Sequence, residues 1–521
     1  MSVPEDVASA RVDELTRSYR IADDAARAAL EDTYRVVATY TGPALTAITA
    51  DVLDGLRDDL AARPGQVSVF VGRDGFPLAE AARGLDPQFV AEHTRTVALS
   101  RVVLEQALRD LEAHTGRELG LSAPFRLSSA PDAARPGAYR QLTRYLHACG
   151  VPAGLDASAV SIVDTSYKGT GQEMLAAAYP ATAFTGHYAF FGAHPDDPHP
   201  GTKTGHALHL DPDPGGGFPI GGPLPADSAL TYTHPDAIAA IEDLHHGPLA
   251  KPRGWEQGAP VLRRMSSEDA ELGDINPTRI APGFDDPVAR EACHDAALQA
   301  VGDVAAAAGQ RRQAGDSQWR AQLDEQAAVF TEQLRHWITH PDPAARSRLD
   351  PRLGRVLDGF AHREERSALQ RIDALLTARG MPRDAEPARR VFEQLAAAGS
   401  HTEREQVVAR AHQPVGREAA PSEPHTASTA GREHAPPTPQ RGDTGPTDPA
   451  PPAGREPHEP DTPDPHRQPG HGHARETARA AREHTGRQAG RSEQEAQSHR
   501  RRTQHEHSSK PEPQQQHRRD Y

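Results

Sequence analysis

Along residues 1 to 400, apolar positions follow two alternating periods. From Asp6 to about Arg63 they recur every three or four residues, as at Leu53, Leu56 and Leu60, which predicts helix. Arg63-Pro64-Gly65 breaks that run, and Val67, Val69, Phe70 and Val71 form a β-branched stretch of strand length. After a charged turn, "PLAEAARGL" opens with Pro77 and ends near Gly84, the asymmetry of a helix. The unit recurs. "TVALS" ends at Ser100 before the helical "RVVLEQALRDLEAH", and "AVSIVD" ends at Asp164 before the glycine-bearing "TSYKGTG" and the helical "QEMLAAAY". A fourth strand is expected in "FTGHYAFFG".

Strands alternating with helices predict a mainly parallel sheet covered on both faces, in which ligands sit beyond the carboxyl ends of the strands. Asp74, Ser100 and Asp164 then share that edge. Residues 193–235, rich in Pro, Gly, Asp and His, read as a long loop or flap. A helix is expected over about 236–247, and four or so more over 286–399, suggesting an appended bundle. Beyond Gly399 the periodicity is lost to Pro, His, Arg, Glu, Gln and Ser, a composition that buries too little apolar surface to offset its ordering entropy. The expected organisation is a helical lead-in (1–63), an α/β domain (64–265), a helical bundle (266–400) and a disordered low-complexity tail (401–521).

Charge sharpens this division. The net charge is -15, and because acids and bases balance in the tail, the excess acidity belongs to residues 1–400. That sign disfavours nucleic acid and anionic membrane as partners. The two cysteines, Cys149 and Cys293, have neither metal-site nor disulfide-framework spacing. The N-terminus lacks the apolar core of a signal peptide, and no apolar run approaches a bilayer span. A soluble cytoplasmic protein is expected.

Two aspartates ending neighbouring strands are what a site needs to hold Mg²⁺ against a phosphate, since hard cations take oxygen ligands. Glycine-rich turns and helix N-termini supply N–H donors for phosphate oxygens. Asp74 and Asp164 are therefore candidate metal ligands, Asp74 and Ser100 candidate catalytic groups, and Lys168, Gly169, Thr170 and Gly171 candidate phosphate binders. The plainer alternative is that each aspartate caps a helix. Lysine usage bears on the choice: the chain has four lysines, Lys168, Lys203, Lys251 and Lys510, and one lies in the glycine-bearing loop. His206, His209, Asp211 and Asp213 are metal-ligand types without ligand spacing. Nucleophile-elbow and Walker-type patterns are absent.

The succession "FVGRDG", "VALSR", "IVDTSYKGTGQ" and "IEDLHHGPLAKPRGWEQGAPVL" resembles a divergent branch of the haloacid-dehalogenase-like superfamily with R-D-G in place of D-x-D-G, over roughly residues 60–265. The resemblance implies a Rossmann-like three-layer α/β fold and Mg²⁺-dependent phosphoryl transfer through an aspartyl-phosphate. By position it makes Asp74 the general acid, Ser100 the second-strand hydroxyl and Asp164 the later metal-side acid. The nucleophile position falls on Gly72, which has no carboxylate. "SIVDTSYKGTGQ" also resembles the ribose-phosphate loop of phosphoribosyltransferases, with Thr165 where the second acid stands. Three readings stand: a phosphate-ester binding protein acting as phosphohydrolase or phosphotransferase on a small phosphorylated ligand, a non-catalytic scaffold recruiting a protein partner through bundle or tail, and a phosphoribosyltransferase-like enzyme.

Overall fold

A computed structural model describes residues 3–128, 135–165, 167–213, 217–267, 281–361, 363–382, 385–398 and 401–412. The chain opens with three helices, α1 (Glu5–Ser18), α2 (Asp24–Val36) and α3 (Gly42–Ala62). Asp23 caps α2, its carboxylate accepting from the Ala26 N–H at 2.8 Å. A π-helical turn, Val37–Thr41, carries α2 into α3 just before Pro43, which has no N–H to give the ladder. By length and composition the continuous helix Asp24–Ala62 could cross a membrane, contrary to expectation, yet 78% of its apolar window is buried within the molecule. Its apolar surface goes into the core.

The α/β part follows as β1 (Val67–Val71), α4 (Phe76–Leu85), α5 (Pro87–His93), β2 (Thr94–Val97), α6 (Arg101–Thr115), α7 (Ala138–Ala148), β3 (Ala159–Asp164), α8 (Thr170–Ala178), β4 (Ala183–Gly192) and β5 (Lys203–Leu210). These five strands form one parallel sheet of order β2-β1-β3-β4-β5, with Ser68 of β1 in register with Thr94 of β2 and Ser161 of β3. Alternation along β1 fills both faces. Phe70 joins a core with Val163, Phe190, α3 and α4, while Val69 and Val71 join another with Val97, Ile162, Leu104 and Leu142. Sheets covered on both sides need apolar runs of this kind. The fold is α/β and Rossmann-like, as expected.

β5 lies where the sequence suggested a loop or flap. Its "KTGHALHL" is too polar to read as a strand, because it forms the sheet edge and buries chiefly Lys203 and Leu208. Lys203 is held there by Glu173 and Asp197.

The C-terminal part is helical: α9 (Pro235–Glu242), α10 (Pro287–Gln313), α11 (Trp319–Thr339), α12 (Pro351–Phe360), α13 (Arg363–Ala378), α14 (Glu386–Ala397) and α15 (His401–His412). α10 to α12 share one core with α1 to α4 and a face of the sheet. Where α10 crosses α4 the backbones nearly touch: a Cβ on Gly84 would stand 2.6 Å from the Ala306 nitrogen, and one on Gly309 would stand 2.5 Å from the Gly84 carbonyl oxygen. Only glycine permits that approach. α13 to α15 close a smaller core around Ile372, Leu376, Leu395, Val407 and Val408. The first twelve residues assigned to the tail thus include a packed helix, for Val407 and Val408 face inward. The rest of that tail lies outside the described residues.

Candidate functional site

Strand order reverses between β1 and β3, since the chain leaves β1 toward β2 on one side and returns to β3 on the other. Such a switch point opens a crevice at the carboxyl ends of the strands. Here it is a cavity of about 520 Å³, walled by the turn after β1, the start of α6, the loop after β3, the end of α9 and parts of α10 and α13.

The turn after β1 is fixed by its backbone. Gly72 has φ +65°, its N–H donates to the Val97 carbonyl at 2.8 Å, and a Cβ there would stand 2.7 Å from the Leu99 carbonyl oxygen. A side chain at position 72 is excluded by the turn itself, so a carboxylate cannot stand there. Two residues on, Asp74 enters the cavity with its side chain 42% exposed, and its Oδ1 accepts from His246 Nε2 at 2.9 Å. Burial opposes its charge, but the His246 bond and the charges of Arg73 and Arg363 outweigh that and hold the carboxyl well below the usual carboxylate range.

Asp164 ends β3 and lines the same cavity. Burial first, then the charges of Asp74 and Glu242, push its carboxyl well above the usual range. The two aspartates therefore feel one another. Neither caps a helix: α4 starts after Gly75 with no side-chain cap, α8 starts after Gly169 with none, and the Asp164 carboxylate accepts from the adjacent Thr165 N–H at 2.8 Å.

Ser100 does cap a helix. Its Oγ accepts from the Val103 N–H at 3.3 Å and donates to the Pro252 carbonyl at 2.6 Å, so the hydroxyl that lines the cavity is already engaged at both ends. Lys168, Thr170 and Gly171 line the cavity, whereas Gly169 does not. Gly169 is the left-handed residue before α8, with φ +68°, packed against the Lys203 side chain. Its backbone geometry, rather than ligand contact, requires glycine. Lys168 donates to the Pro124 carbonyl at 3.0 Å.

Several wall residues escaped the sequence reading. Lys251, another of the four lysines, faces the cavity, as does Arg101, and neither makes a hydrogen bond or ion pair among the described residues. Lysine scarcity was the available signal, and it applied to Lys251 as much as to Lys168. His246, the partner of Asp74, carried no signal in a histidine-rich chain. On the far wall, Arg363 bridges Glu242 at 2.7 Å and Asp243 at 2.5 Å, while Glu242 also accepts from Thr165 Oγ1 at 3.0 Å.

Among the described residues no group of three or more His, Cys, Asp or Glu is arranged as a metal cage. The Asp74–Asp164 pair still suits Mg²⁺, which is commonly held by one or two carboxylates with water and substrate phosphate supplying the other oxygens. Asp164, destabilised as an anion by its acidic neighbours, is the group a divalent cation would relieve. His206 is bonded to His187 on another part of the sheet, and no metal-type cluster forms around it or His209 among the described residues. No protein-family model matches the chain, and no curated protein is significantly similar to it.

Proposed function

We propose that the cavity binds a phosphate ester together with a divalent cation, as the resemblance to haloacid-dehalogenase-like proteins implies. One observation carries this reading: at the switch point, two interacting aspartates meet cationic side chains, Lys251 and Arg101, that make no hydrogen bond or ion pair among the described residues. Asp74 and Asp164 would hold Mg²⁺, and Lys251, Lys168 and the first turn of α8 at Thr170 and Gly171 would face the phosphate oxygens. The bound cation would supply positive charge to a phosphoryl group.

Gly72 removes the usual nucleophile, so in this reading phosphohydrolase or phosphotransferase activity rests on Asp74. Its Oδ1 is taken by His246, which also fixes the orientation of the carboxylate. The same glycine favours a second reading, a non-catalytic scaffold that recruits a protein partner through the C-terminal helices or the tail. The phosphoribosyltransferase-like reading is less favoured, since Thr165 is fully buried and donates to Glu242.

The test is a thermal-melting screen of the full chain against inorganic phosphate and phosphate monoesters, with and without Mg²⁺. A binder at a hundredfold excess over its dissociation constant stabilises by about 2.7 kcal/mol. Asp164→Asn should weaken the Mg²⁺-dependent part. Phosphate release abolished in Asp74→Asn would identify an enzyme, stabilisation without release a binder, and no shift with any phosphate compound would leave the scaffold reading in its place.

A further inference from the structure

The cavity carries more positive charge than a phosphate monoester and a divalent cation require. Its wall contains six cationic side chains, Arg73, Arg101, Lys168, Lys251, Arg290 and Arg363, against four carboxylates, Asp74, Asp164, Glu242 and Asp243. With every carboxylate ionised, the excess is already two positive charges. A phosphate dianion would balance that, but a divalent cation between Asp74 and Asp164 would restore it. Unbalanced charge in a partly desolvated cleft is costly unless a ligand supplies the counter-charge.

The excess is localised. Arg363 is neutralised by Glu242 and Asp243, the Arg73 charge acts on the adjacent Asp74, and Arg290 is engaged by the Gly359 carbonyl at 2.7 Å and the Phe284 carbonyl at 3.3 Å. Lys168, Lys251 and Arg101 remain on the side of Ser100 and the start of α8. They act on one another: burial and then the Arg101 charge lower both lysines from their ordinary values. Arg101 is exposed at the first position of α6, where its planar guanidinium is free to grip a second anion in bidentate fashion.

Resting on the phosphate reading above, we propose that the ligand carries two anionic groups, one held by the Asp74–Asp164 cation together with Lys251 and Lys168, the second held by Arg101 at the cavity mouth. A diphosphate, or a phosphate bearing a nearby carboxylate, has that chemistry.

Calorimetry of the full chain in excess Mg²⁺ tests it with probes that cannot be hydrolysed: methylphosphonate, methylenediphosphonate and phosphonoacetate. At least one two-anion probe should bind about tenfold or more tightly than methylphosphonate, a difference of about 1.4 kcal/mol. Preference for methylenediphosphonate identifies a diphosphate, and preference for phosphonoacetate a phosphate with a carboxylate. Arg101→Ala, which removes an exposed side chain that makes no hydrogen bond or ion pair among the described residues, should abolish the preference; Arg101→Lys should restore part of it. Equal affinity for all three probes, or a preference that survives Arg101→Ala, overturns the proposal while leaving the single-phosphate site standing. Failure of every probe to bind overturns both.

Discussion

Two aspartate clusters in the α/β part show opposite designs. On α3, Asp59 accepts from Ser161 Oγ at 2.6 Å, Thr185 Oγ1 at 2.8 Å, Gln66 Nε2 at 3.1 Å and His187 Nε2 at 3.1 Å, and His187 Nδ1 continues to His206 Nε2 at 3.0 Å. Burial opposes the Asp59 charge, but bonds from His187, Ser161 and Thr185 hold it well below the usual carboxylate range. At the switch point, Asp164 has one adjacent N–H and two acidic neighbours. A saturated carboxylate is architecture, because removing it orphans its donors. A carboxylate placed against its own kind is tolerated only where something else is gained.

The largest effect should come from exchanging those roles. Asp59→Ala leaves Ser161, Thr185, Gln66 and His187 without their shared acceptor and should cost about 3 kcal/mol, since bonds to a charged group are worth roughly 1.5–3 kcal/mol each and do not add. Asp164→Asn keeps shape, removes a repulsive charge, and should leave stability unchanged or raised. Urea denaturation of both variants beside the parent decides it. A Asp164→Asn protein less stable than Asp59→Ala would reverse the assignment.

Acid should separate the clusters in sign. Burial, then His187, pushes His206 down to about 4, and burial pushes His245 down to about 4. Between the ordinary histidine value and about 4 the unfolded chain takes up protons that the native state refuses. Stability therefore falls as pH drops through that window, by up to about 1.4 kcal/mol per pH unit for each histidine. Asp164 acts the other way. Its raised carboxyl keeps a proton that the unfolded chain has lost, so its contribution is full below the ordinary aspartate value and disappears as pH rises through its native one. Denaturation curves from pH 4 to 8 should show His206→Gln with a shallower loss toward acid, and Asp164→Asn gaining on the parent as pH rises. Parallel curves for parent and both variants would contradict the opposition.

The same contrast explains what the sequence made legible. Strand ends at Val71 and Asp164, and the helices after them, follow from local periodicity and turn residues, as does the apolar run read to Ser100, where the strand itself stops at Val97; that is why Asp74, Ser100 and Asp164 were placed on one edge. Gly72 was visible as a missing carboxylate; that the turn forbids one depends on the Leu99 carbonyl, a contact no local pattern encodes. β5 was hidden because an edge strand tolerates His and Lys. The grouping of α10 with α1 to α4 depends on the Gly84–Gly309 crossing between segments far apart in sequence. His246 and Lys251 reach the cavity from the segment after α9, and Arg363 from the start of α13, and only the tertiary fold brings them there.

Ser100 gives the smallest and sharpest test, because position and bonding disagree about it. It lies on the site edge, as a catalytic hydroxyl would, yet its Oγ is saturated like the groups around Asp59, donating to Pro252 and accepting from Val103. If saturation marks architecture, Ser100→Ala loses a helix cap and a tie to the loop that carries Lys251, costing about 1 kcal/mol. Stabilisation by inorganic phosphate with Mg²⁺, measured relative to the variant's own unliganded melting temperature, should remain within about twofold in apparent affinity. A stability loss of that size with ligand response intact extends the rule from one cluster to the other. Unchanged stability with a tenfold weaker ligand response would mean that the hydroxyl leaves Pro252 for the ligand, and that saturation in the free protein does not separate framework from site.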